Sequence, residues 1–546
     1  MIGYNCKYAP VEILAGFGEK YSLLNNEVEN FDYSSIKLHP NICSHAKAMF
    51  EEIHNNNYNE LIFMNCCDSA KRVFDVINEE KINFSYCIDL PTCQTGCAIK
   101  KFKNDLIEFI KSYENFSKKK FNVDLFLSSF KKYTHFPKGK YVAILGARSS
   151  QTLLNAVQKC FEKVEIFDLT CTANREVLPF EVEKDDTLDN IMLKYAKSLL
   201  YQTPCMRMQS IKQRNAIIEN ENCIGIIYNT IKFCDYYDFE LSQLKRLKTP
   251  IIRIETDFTN QSYGQLLTRI EGFSETLVKT DKEKKGKNMN GKYFIGIDSG
   301  STSTELTAID KNGEIVKNII VRTGANAQNS AKNALEKSGI DKNDISYIVA
   351  TGYGRKNIDF ADDDVTEITC HAKGAKHLYN NATMIVDIGG QDSKIISLDK
   401  DGKVSGFVMN DKCAAGTGRF LENMAKVLEL DMDKMASIGL DYKKDLTISS
   451  MCTVFAESEV VSLIAENNSV ADIVHGLSKS VAVKVKSMAT SVKDKSHIMM
   501  TGGVAKNFCV VSELEKQFNE KIFIPKHPEF CGSLGAALIA KENSFI

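Results

Sequence analysis

Three glycine turns, each placed directly after a strand-like apolar run, constrain this sequence most. The first turn reads Asp298-Ser-Gly-Ser-Thr-Ser303, the second reads Asp387-Ile-Gly-Gly-Gln391, and the third reads Thr501-Gly-Gly503. Small residues let backbone N–H groups approach a phosphate, hydroxyls add donors, and an aspartate can hold a hydrated Mg²⁺. A single turn of this kind is also what an ordinary hairpin uses. Two aspartate-bearing hairpins followed by a late diglycine turn, in this order, predict a nucleotide-phosphate site.

The ordered set resembles the actin/Hsp70/sugar-kinase ATPase superfamily, which implies a ribonuclease H-like α/β fold with ATP and Mg²⁺ as cofactors. In that fold Asp298 would sit at the metal and phosphates, while Asp387 and Gln391 would orient the water that attacks the γ-phosphate. Whether Asp387 acts as a base or as a metal bridge is left open. The expected nucleotide contacts are Gly300, Ser301, Thr302, Ser303, Gly389, Gly390, Thr501, Gly502 and Gly503.

Cys413 and Cys452 lie between the second hairpin and the third turn. Each precedes a run with helical apolar spacing, Arg419–Leu430 and Phe455–Ala465. Two cysteines cannot complete a four-ligand metal site, so the pair predicts a half-site that a second copy of the chain completes. The N-termini of both helices, with their partial positive charge and free N–H groups, would point at and steady an anionic cluster. The alternative is two buried cysteines at helix starts.

The residues around these cysteines resemble the activator ATPases of 2-hydroxyacyl-CoA dehydratases and benzoyl-CoA reductases. The matching stretches are Glu367–Gly374, Asn410–Glu422, Cys452–Glu459 and Cys531–Ala537. The resemblance implies that Cys413 and Cys452 of each subunit hold one [4Fe-4S] cluster at a homodimer interface, and that ATP changes the angle between the flanking helices. It also implies a ferredoxin or flavodoxin as electron donor and a dehydratase or reductase as acceptor. Cys370 and His371 fall in a matching stretch, where we expect a structural role.

The first 279 residues alternate short apolar runs with segments of helical length, which predicts doubly wound parallel sheets. The strand-like runs are Met1–Asn5, Glu60–Met64, Phe84–Ile88, Tyr141–Leu145, Val164–Phe167, Ile224–Tyr228 and Pro250–Ile254. The lysine-rich segment Lys131–Lys140 joins two lobes, about residues 1–135 and 139–279. Residues 280–292, rich in charge, glycine and asparagine, predict a linker to an ATPase domain over residues 293–546.

Many cysteines of the first 279 residues fall at strand ends or in loops, at the edge where open α/β sheets bind ligands. Thiolates select soft metals and iron–sulfur clusters, although a single free cysteine is often only a small buried apolar residue. Residues 1–275 resemble the D-component family of 2-hydroxyacyl-CoA dehydratases, benzoyl-CoA reductases and double-cubane cluster proteins. The matching stretches are Ile2–Ile13, Asn65–Asp68, Gly225–Tyr237 and Thr268–Glu271.

This second resemblance implies an additional iron–sulfur cluster in the N-terminal domain, with a cysteine order similar to the double-cubane pattern. The best-matching ligands are Cys43, Cys66, Cys67 and Cys234, with Cys205 as a fifth candidate. Cys6 and Cys171 rank below them, and Cys93 and Cys97 rank below these.

Composition argues against several other classes of protein. A net charge of −1 offers no electrostatic case for binding nucleic acid or a membrane surface. The sequence contains no apolar run of roughly 18 residues, so it predicts no membrane span. The start, Met1–Cys6, lacks the basic and apolar regions of a signal peptide. We therefore expect a cytoplasmic protein whose 17 cysteines do not form disulfides.

The sequence thus predicts an ATP-driven, low-potential electron-transfer protein in which an activator and a cluster-carrying acceptor are fused. One alternative is a phosphotransferase of the same superfamily with an accessory metal-binding domain, which leaves Cys413 and Cys452 unexplained. Another is an iron–sulfur assembly or redox-sensing module that uses ATP as a switch. The substrate, and whether the N-terminal domain is itself catalytic, do not follow from the sequence.

Overall fold

The chain divides into an N-terminal unit, Met1–Ile270, and a C-terminal unit, Glu271–Ile546, in this computed structural model. The structure describes residues 1–546 except 57, 79–81, 131–135, 245–246, 260–262, 279–290, 412, 450–452 and 545–546, and it does not describe the side chains at 235 and 491. Cys452 and most of the predicted linker therefore lie outside the described residues. Of the helices in the described ranges, none is both long and apolar enough to cross a bilayer.

The N-terminal unit is built on two four-stranded sheets whose strands pair in parallel, in the orders β2-β1-β3-β4 and β6-β5-β7-β8. Its strands are β1 (Ile2–Tyr4), β2 (Tyr21–Leu23), β3 (Glu60–Asn65), β4 (Phe84–Asp89), β5 (Tyr141–Gly146), β6 (Glu165–Asp168), β7 (Cys223–Ile231) and β8 (Ile251–Thr256). Its helices are α1 (Val11–Gly16), α2 (Asp32–Lys37), α3 (Ser44–Asn55), α4 (Asp68–Ile77), α5 (Gly96–Ser117), α6 (Val123–Ser128), α7 (Gln151–Cys160), α8 (Leu188–Leu200), α9 (Lys212–Ile218), α10 (Asp235–Leu244) and α11 (Tyr263–Leu277). The predicted parallel sheets and strands are confirmed with small end shifts. The edge strand β2 was missed because three residues are too few to show the alternation of apolar and polar side chains that marks a strand.

Strand β3 explains why these strands read as unbroken apolar runs. Leu61 and Phe63 pack into one buried cluster, while Ile62 and Met64 pack into another on the opposite face. Successive side chains of a strand point to opposite faces, and helices cover both faces of a parallel sheet. The apolar run therefore stops only where β3 ends, and Cys66 and Cys67 follow at the sheet edge.

The C-terminal unit contains two sheets with the same plan, in the orders β11-β10-β9-β12-β13 and β16-β15-β14-β17. Its strands are β9 (Tyr293–Ser299), β10 (Ser303–Ile309), β11 (Ile315–Arg322), β12 (Ile345–Thr351), β13 (Asp363–Asp364), β14 (Met384–Ile388), β15 (Ser393–Leu398), β16 (Val404–Asn410) and β17 (Ile498–Thr501). Its helices are α12 (Ala327–Ser338), α13 (Glu367–Leu378), α14 (Gly418–Val427), α15 (Met432–Ile438), α16 (Thr453–Ala465), α17 (Val470–Met488), α18 (Phe508–Phe518) and α19 (Cys531–Ser544). In each sheet an antiparallel meander, β9-β10-β11 or β14-β15-β16, is extended by a parallel strand, β12 or β17. The two predicted hairpins are present, and the α/β fold class is confirmed.

Helices α13 and α19 cross with almost no space between their backbones. A Cβ on Gly374 would overlap the carbonyl of Cys531, and a Cβ on Gly535 would overlap the carbonyl of Cys370. Only glycine permits such an approach without moving a backbone. The crossing fixes how far α13 reaches toward the first hairpin.

Helix α11 continues across the division between the two units. Its residues from Glu271 onward belong to the C-terminal unit, where Gly272 lies flat against Ile368 and Phe407. A Cβ on Gly272 would stand 3.3 Å from the ring of Phe407 and 3.4 Å from the side chain of Ile368. The predicted domain boundary at residue 279 stays a prediction.

Candidate functional site

A cavity of ≈ 400 Å³ in the C-terminal unit brings the glycine turns together. Asp298, near the end of β9, lies on its wall and is buried. The Gly300 amide donates to the Ser303 carbonyl at 3.0 Å, which closes the first turn around Ser301 and Thr302. The hydroxyl-bearing turn therefore lines the cavity, as a phosphate site requires.

The second turn faces the first across the cavity. The Gly389 amide donates to the Asp392 carbonyl at 3.0 Å. Gly390 lies so close to the first turn that a Cβ on it would overlap the Thr302 hydroxyl. The two hairpins thus form opposing walls, with glycine where they come nearest.

The third turn completes the cavity behind Asp387. Gly502 has φ +83°, and a Cβ on it would overlap the carbonyl of Ile388. Gly502 and Gly503 line the cavity. Thr501 lies behind them, and its hydroxyl donates to Asp387 Oδ1 at 2.8 Å. Thr501 therefore orients the aspartate directly.

One buried lysine, Lys394 on β15, is surrounded by carboxylates. Its Nζ lies 2.6 Å from Asp392 Oδ2, 3.2 Å from Asp387 Oδ2 and 3.4 Å from Glu367 Oε2. These carboxylates raise the pKa of Lys394 well above its usual value despite its burial, so the lysine is charged. The single positive charge of Lys394 cannot balance these three carboxyl groups and Asp298 together.

His371, on α13, lies between the two predicted catalytic aspartates. Its Nε2 is 3.8 Å from Asp298 Oδ2, and its Nδ1 is 3.7 Å from Asp387 Oδ1. Burial lowers the pKa of His371, which favours the neutral ring. A Cβ on Gly532 of α19 would overlap Asp298 and stand 2.9 Å from His371, so this packing depends on glycine. The histidine expected to be structural therefore borders the phosphate site.

Burial shifts the pKa of several carboxyl groups in the cavity. Burial, together with Glu305 and Asp387, raises the pKa of Asp298 to about 8, although Lys394 opposes the shift. Burial raises the pKa of Glu367 to about 8 and that of Glu305 to about 7. Burial would also raise the pKa of Asp387, but His371, Lys394 and the Thr501 hydroxyl together lower it to about 2. Perturbed carboxyls of this kind concentrate at functional sites.

Several buried polar atoms that line the cavity have no hydrogen-bond partner among the described residues. They are Tyr353 OH, Glu367 Oε1, Asn507 Nδ2 and Glu529 Oε2. Buried polar groups are normally paired, so such atoms indicate a missing polar ligand. A divalent cation and a nucleotide would supply both the positive charge and the hydrogen-bonding groups.

The loop that carries Cys413 is attached to the second hairpin by hydrogen bonds. The amides of Gly418 and Arg419, which begin α14, donate to the carbonyls of Gly389 and Gly390 at 2.9 and 2.8 Å. The Ser393 hydroxyl donates to the Gly416 carbonyl at 2.5 Å. These two helix amides are therefore not free to face a cluster, contrary to the expectation from sequence.

Cys413 itself is exposed. The Asn410 amide nitrogen donates to the carbonyls of Cys413 and Ala415 at 3.0 and 2.9 Å, which shapes the loop. Its predicted companion, Cys452, lies outside the described residues, just ahead of α16. Exposure of Cys413 agrees with a ligand that is shared with another chain.

In the N-terminal unit the cysteines at the sheet edges approach one another. We call this set the N-terminal cysteine group. Its members are Cys6, Cys43, Cys66, Cys67, Cys171, Cys205 and Cys234. The Cys66 thiol is hydrogen-bonded to those of Cys6 and Cys67, and Cys43 is hydrogen-bonded to Cys234. All predicted N-terminal ligands fall in this group, and the lower-ranked Cys6 and Cys171 join them.

The thiols of this group influence one another electrostatically. The hydrogen bond from Cys66 lowers the pKa of both Cys6 and Cys67, while it raises that of Cys66. Burial raises the pKa of Cys171 and Cys205. Thiols that interact in this way are candidates for thiolate ligands of a metal site.

Two buried cations adjoin the N-terminal cysteine group. Lys7 Nζ donates to the carbonyls of Thr203 and Ala173 at 2.5 and 3.3 Å, beside the thiols of Cys205 and Cys6. Arg148 donates to the carbonyl of Cys171 at 3.3 Å. Cys93 and Cys97 lie elsewhere, at the start of α5, partly and fully exposed.

Across the described residues, no three His, Cys, Asp or Glu side chains converge tightly enough to hold a single metal ion. An iron–sulfur cluster spaces its cysteines around several iron atoms, so its ligands stand further apart than those of one ion.

Two family models match the chain. Residues 295–540 match the BadF/BadG/BcrA/BcrD ATPase family, and residues 6–136 and 142–277 match the 2-hydroxyglutaryl-CoA dehydratase D-component. A 2-hydroxyisocaproyl-CoA dehydratase activator of Clostridioides difficile is 43% identical over 256 residues, which cover 46% of this chain and 96% of the activator. The chain belongs to the BadF/BadG/BcrA/BcrD ATPase family.

Other members of this ATPase family match the same half of the chain. An activator of lactoyl-CoA dehydratase from Anaerotignum propionicum is 45% identical over 253 residues, covering 46% of this chain and 98% of that protein. The solved activator of the 2-hydroxyisocaproyl-CoA dehydratase from Clostridium difficile with bound ADPNP is 40% identical, covers 46% of this chain and 96% of its own, and has a TM-score of 0.45. Both resemblances predicted from sequence are confirmed, and the ATPase family segment here follows a D-component segment.

Sequence reasoning found the hairpin residues of this family member but missed most of the charged groups around them. Lys394 could have been found from sequence, because a charged residue is rare in a buried strand, and Asp392 directly precedes that strand. Glu305 carries the same signal on β10. Glu367 comes from a distant helix, and no local pattern places it. Gln391, in contrast, is exposed in the second turn.

Helix α16 of the family member has apolar side chains on two faces. Ala456 and Val460 are buried in the core, whereas Val454 and Phe455 are 68% and 66% exposed. Val461 and Ile464 are exposed as well. Contiguous exposed apolar residues mark interaction surfaces.

Proposed function

We propose that this protein hydrolyses ATP to drive an electron through iron–sulfur clusters to an acceptor of the 2-hydroxyacyl-CoA dehydratase or double-cubane type. The observation that carries the proposal is the hydrogen-bonded attachment of the Cys413 loop and α14 to the turn at Gly389 and Gly390. A shift of that turn on nucleotide binding would move the cysteine loop with it.

The cavity fits Mg²⁺ and ATP through its unbalanced carboxylates and unpaired polar atoms. Asp298 would hold the metal, and the glycine turns would offer amides to the phosphates. Bound Mg²⁺ supplies charge neutralisation at the β- and γ-phosphates. Asp387 is held by Thr501 and Lys394 and has a depressed pKa, so it orients water better than it accepts a proton. Gln391 would need to turn inward to share that role.

Cys413 and Cys452 of two copies would together supply four thiolates for one [4Fe-4S] cluster. The exposed apolar face of α16, which directly follows Cys452 in sequence, supports a homodimer at this place. The N-terminal cysteine group, with Lys7 and Arg148 beside it, fits a second anionic cluster. A low-potential carrier such as ferredoxin or flavodoxin would act as donor, and the relatives' roles as activators support a dehydratase or reductase acceptor.

The test is the variant Cys413→Ala with Cys452→Ala in the anaerobically purified full chain. We expect iron content to fall by the interface cluster only, the dimer to dissociate, and ATP to lose its effect on the EPR spectrum. The matched control is Cys97→Ala, which removes an exposed cysteine outside both groups. If iron, dimer and the ATP response all survive in the double variant, the proposal fails and a phosphotransferase becomes the better interpretation.

A further inference from the structure

The end of helix α11 belongs to the ATPase unit by packing, although its sequence lies in the D-component match. The D-component match ends at residue 277 and the ATPase match begins at residue 295. Glu271 and Glu275 are one turn apart on α11 and so share a face. Both carboxylates contact residues of the C-terminal unit that adjoin the cavity lining.

Glu271 supports the wall that carries Asp298. It pairs with Arg355, which is only 3% exposed, and accepts from Lys356 Nζ at 2.8 Å. Arg355 in turn donates through Nη1 to the Gly352 carbonyl at 3.0 Å. Gly352, with φ +81°, lies so close to the first hairpin that a Cβ on it would stand 2.5 Å from Asp298 Oδ1. A continuous path of contacts therefore runs from Glu271 to the Asp298 carboxylate.

Glu275 supports the helix that carries Glu367 and His371. Its carboxylate accepts from the Thr366 amide at 3.1 Å, from the Thr366 hydroxyl at 2.5 Å and from the Thr369 hydroxyl at 2.6 Å. The Thr366 side chain makes no capping bond to α13 itself. A carboxylate at a helix N-terminus is stabilised by the helix dipole and holds the first turn in place.

We propose that Glu271 and Glu275 are positioning residues of the nucleotide site, supplied by the D-component segment. They fix the Gly352 turn against Asp298 and the first turn of α13 with its cavity-lining side chains. Neither carboxylate touches the reacting atoms; each acts through a named neighbour. The inference rests on the proposed function, because it requires the cavity to bind Mg²⁺ and nucleotide.

The test uses the full chain with Glu271→Gln and Glu275→Gln, each of which keeps side-chain size and removes the charge. The probe is Mg²⁺·ADPNP, and its Kd is measured by calorimetry alongside kcat and KM for ATP. We expect Kd and KM to rise by about tenfold in each variant, because small displacements of binding groups cost that much or more. We expect kcat to change less. Glu336→Gln, on the exposed face of α12, is the matched control and should match wild type.

A further variant tests the same contact from the other side, in case the first two variants misfold. Thr369→Val removes a donor to Glu275 without altering α11, and should raise Kd in the same direction. Combined with Glu275→Gln it should add little, because both changes break the same contact. Wild-type Kd and KM in Glu271→Gln, Glu275→Gln and Thr369→Val would overturn the inference. A wild-type chain that binds no Mg²⁺·ADPNP would instead overturn the proposed function itself, before any variant is compared.

Discussion

The backbone amide of Gly418 donates a hydrogen bond of 2.9 Å to the carbonyl of Gly389. Gly389 belongs to a turn of the nucleotide cavity, and Gly418 begins the helix that follows Cys413. The bond uses only main-chain atoms, so it joins the phosphate side of the unit to the cysteine side whatever side chains are present. This link leads to the first prediction.

Replacing Gly418 with proline should uncouple nucleotide binding from α14. Proline is well tolerated at the first position of a helix, because its missing N–H has no intrahelical acceptor there. The helix should therefore persist, whereas the donor to Gly389 is lost and the ring Cδ, which takes the place of the N–H, pushes the Gly389 carbonyl away. We expect nucleotide binding to weaken and the ATP-dependent change in the EPR spectrum to disappear even at saturating ATP.

The control for that change is Gly418→Ala, which keeps the N–H but adds a Cβ 3.1 Å from the Gly389 carbonyl. We expect it to retain the spectral response. Loss of the response in both variants would attribute it to crowding and not to the hydrogen bond.

Because of Glu367, we expect the free energy of unfolding to fall as pH rises when the protein holds neither Mg²⁺ nor nucleotide. Its pKa is about 8 in the folded protein and near 4.5 when unfolded, so between these values the folded state binds more protons. Stability therefore falls as pH rises through this window. Asp387 has the opposite effect on stability, because its pKa is lowered to about 2. This effect is confined to pH values below the usual aspartate pKa of 3.8.

Thermal unfolding midpoints measured from about pH 5 to about pH 8 check this sign. We expect a declining midpoint in wild type, a shallower decline in Glu367→Gln, and a shallower decline again when Mg²⁺ is added. Identical pH profiles for wild type and Glu367→Gln would contradict the assignment.

Lys394→Met should destabilise the C-terminal unit strongly. The change leaves Asp387 and Asp392 buried without their shared cation, and breaking a buried ion pair on one side costs about 3–5 kcal/mol. Chemical denaturation at neutral pH measures the free energy of unfolding. Lys403→Met, at an exposed position in the turn directly before β16, should change the free energy of unfolding by less than about 0.5 kcal/mol. Equal effects of the two substitutions would refute the role given to Lys394.

Phe455→Asp should dissociate the proposed homodimer. A charge in the centre of an apolar interface must be desolvated without a partner, which opposes association. Anaerobic size-exclusion chromatography with light scattering reports the mass, and the iron content should fall with the dimer. Phe508→Asp is the control, because Phe508 is 60% exposed on another helix of the same unit. A dimer that withstands Phe455→Asp would place the interface elsewhere.

Cys6→Ala should reduce the iron bound by the N-terminal unit, although Cys6 ranked low by sequence. Its thiol is hydrogen-bonded to Cys66 and is buried within the N-terminal cysteine group. Iron and sulfide quantitation with EPR, compared with Cys97→Ala, measures the loss. Unchanged iron in Cys6→Ala would return Cys6 to the role of a small buried apolar residue.

The fold was predictable from sequence because its strands leave strong local patterns. Fully buried parallel strands such as β3 give short apolar runs, and the hairpin at Asp298 gives a strand, a small-residue turn and a second strand. The α11 packing could not be predicted in this way. Gly272 sits in a helix, and nothing nearby in sequence indicates that it faces Phe407.

The candidate site was predictable only where its residues lie in the hairpins. Glu367 and His371 reach the cavity because α13 and α19 cross at Gly374 and Gly535, which are far apart in sequence. A resemblance found the stretch containing His371, but not that the ring lies between Asp298 and Asp387. Such relationships arise from packing between distant segments and leave no periodic pattern of apolar residues in the sequence.

The contacts that α11 makes with the ATPase unit restrict how the segments of these proteins can be recombined. A chimera that keeps residues 1–277 and replaces the rest with a stand-alone activator would present Glu271 and Glu275 to a foreign surface. It would need basic residues matching Arg355 and Lys356, and hydroxyls matching Thr366 and Thr369, to receive them. Conversely, this ATPase transplanted without α11 would leave the buried Arg355 with only the Asp364 carboxylate, which lies 3.7 Å from its Nε. The exchangeable module therefore begins within α11, ahead of the point where the family resemblance starts.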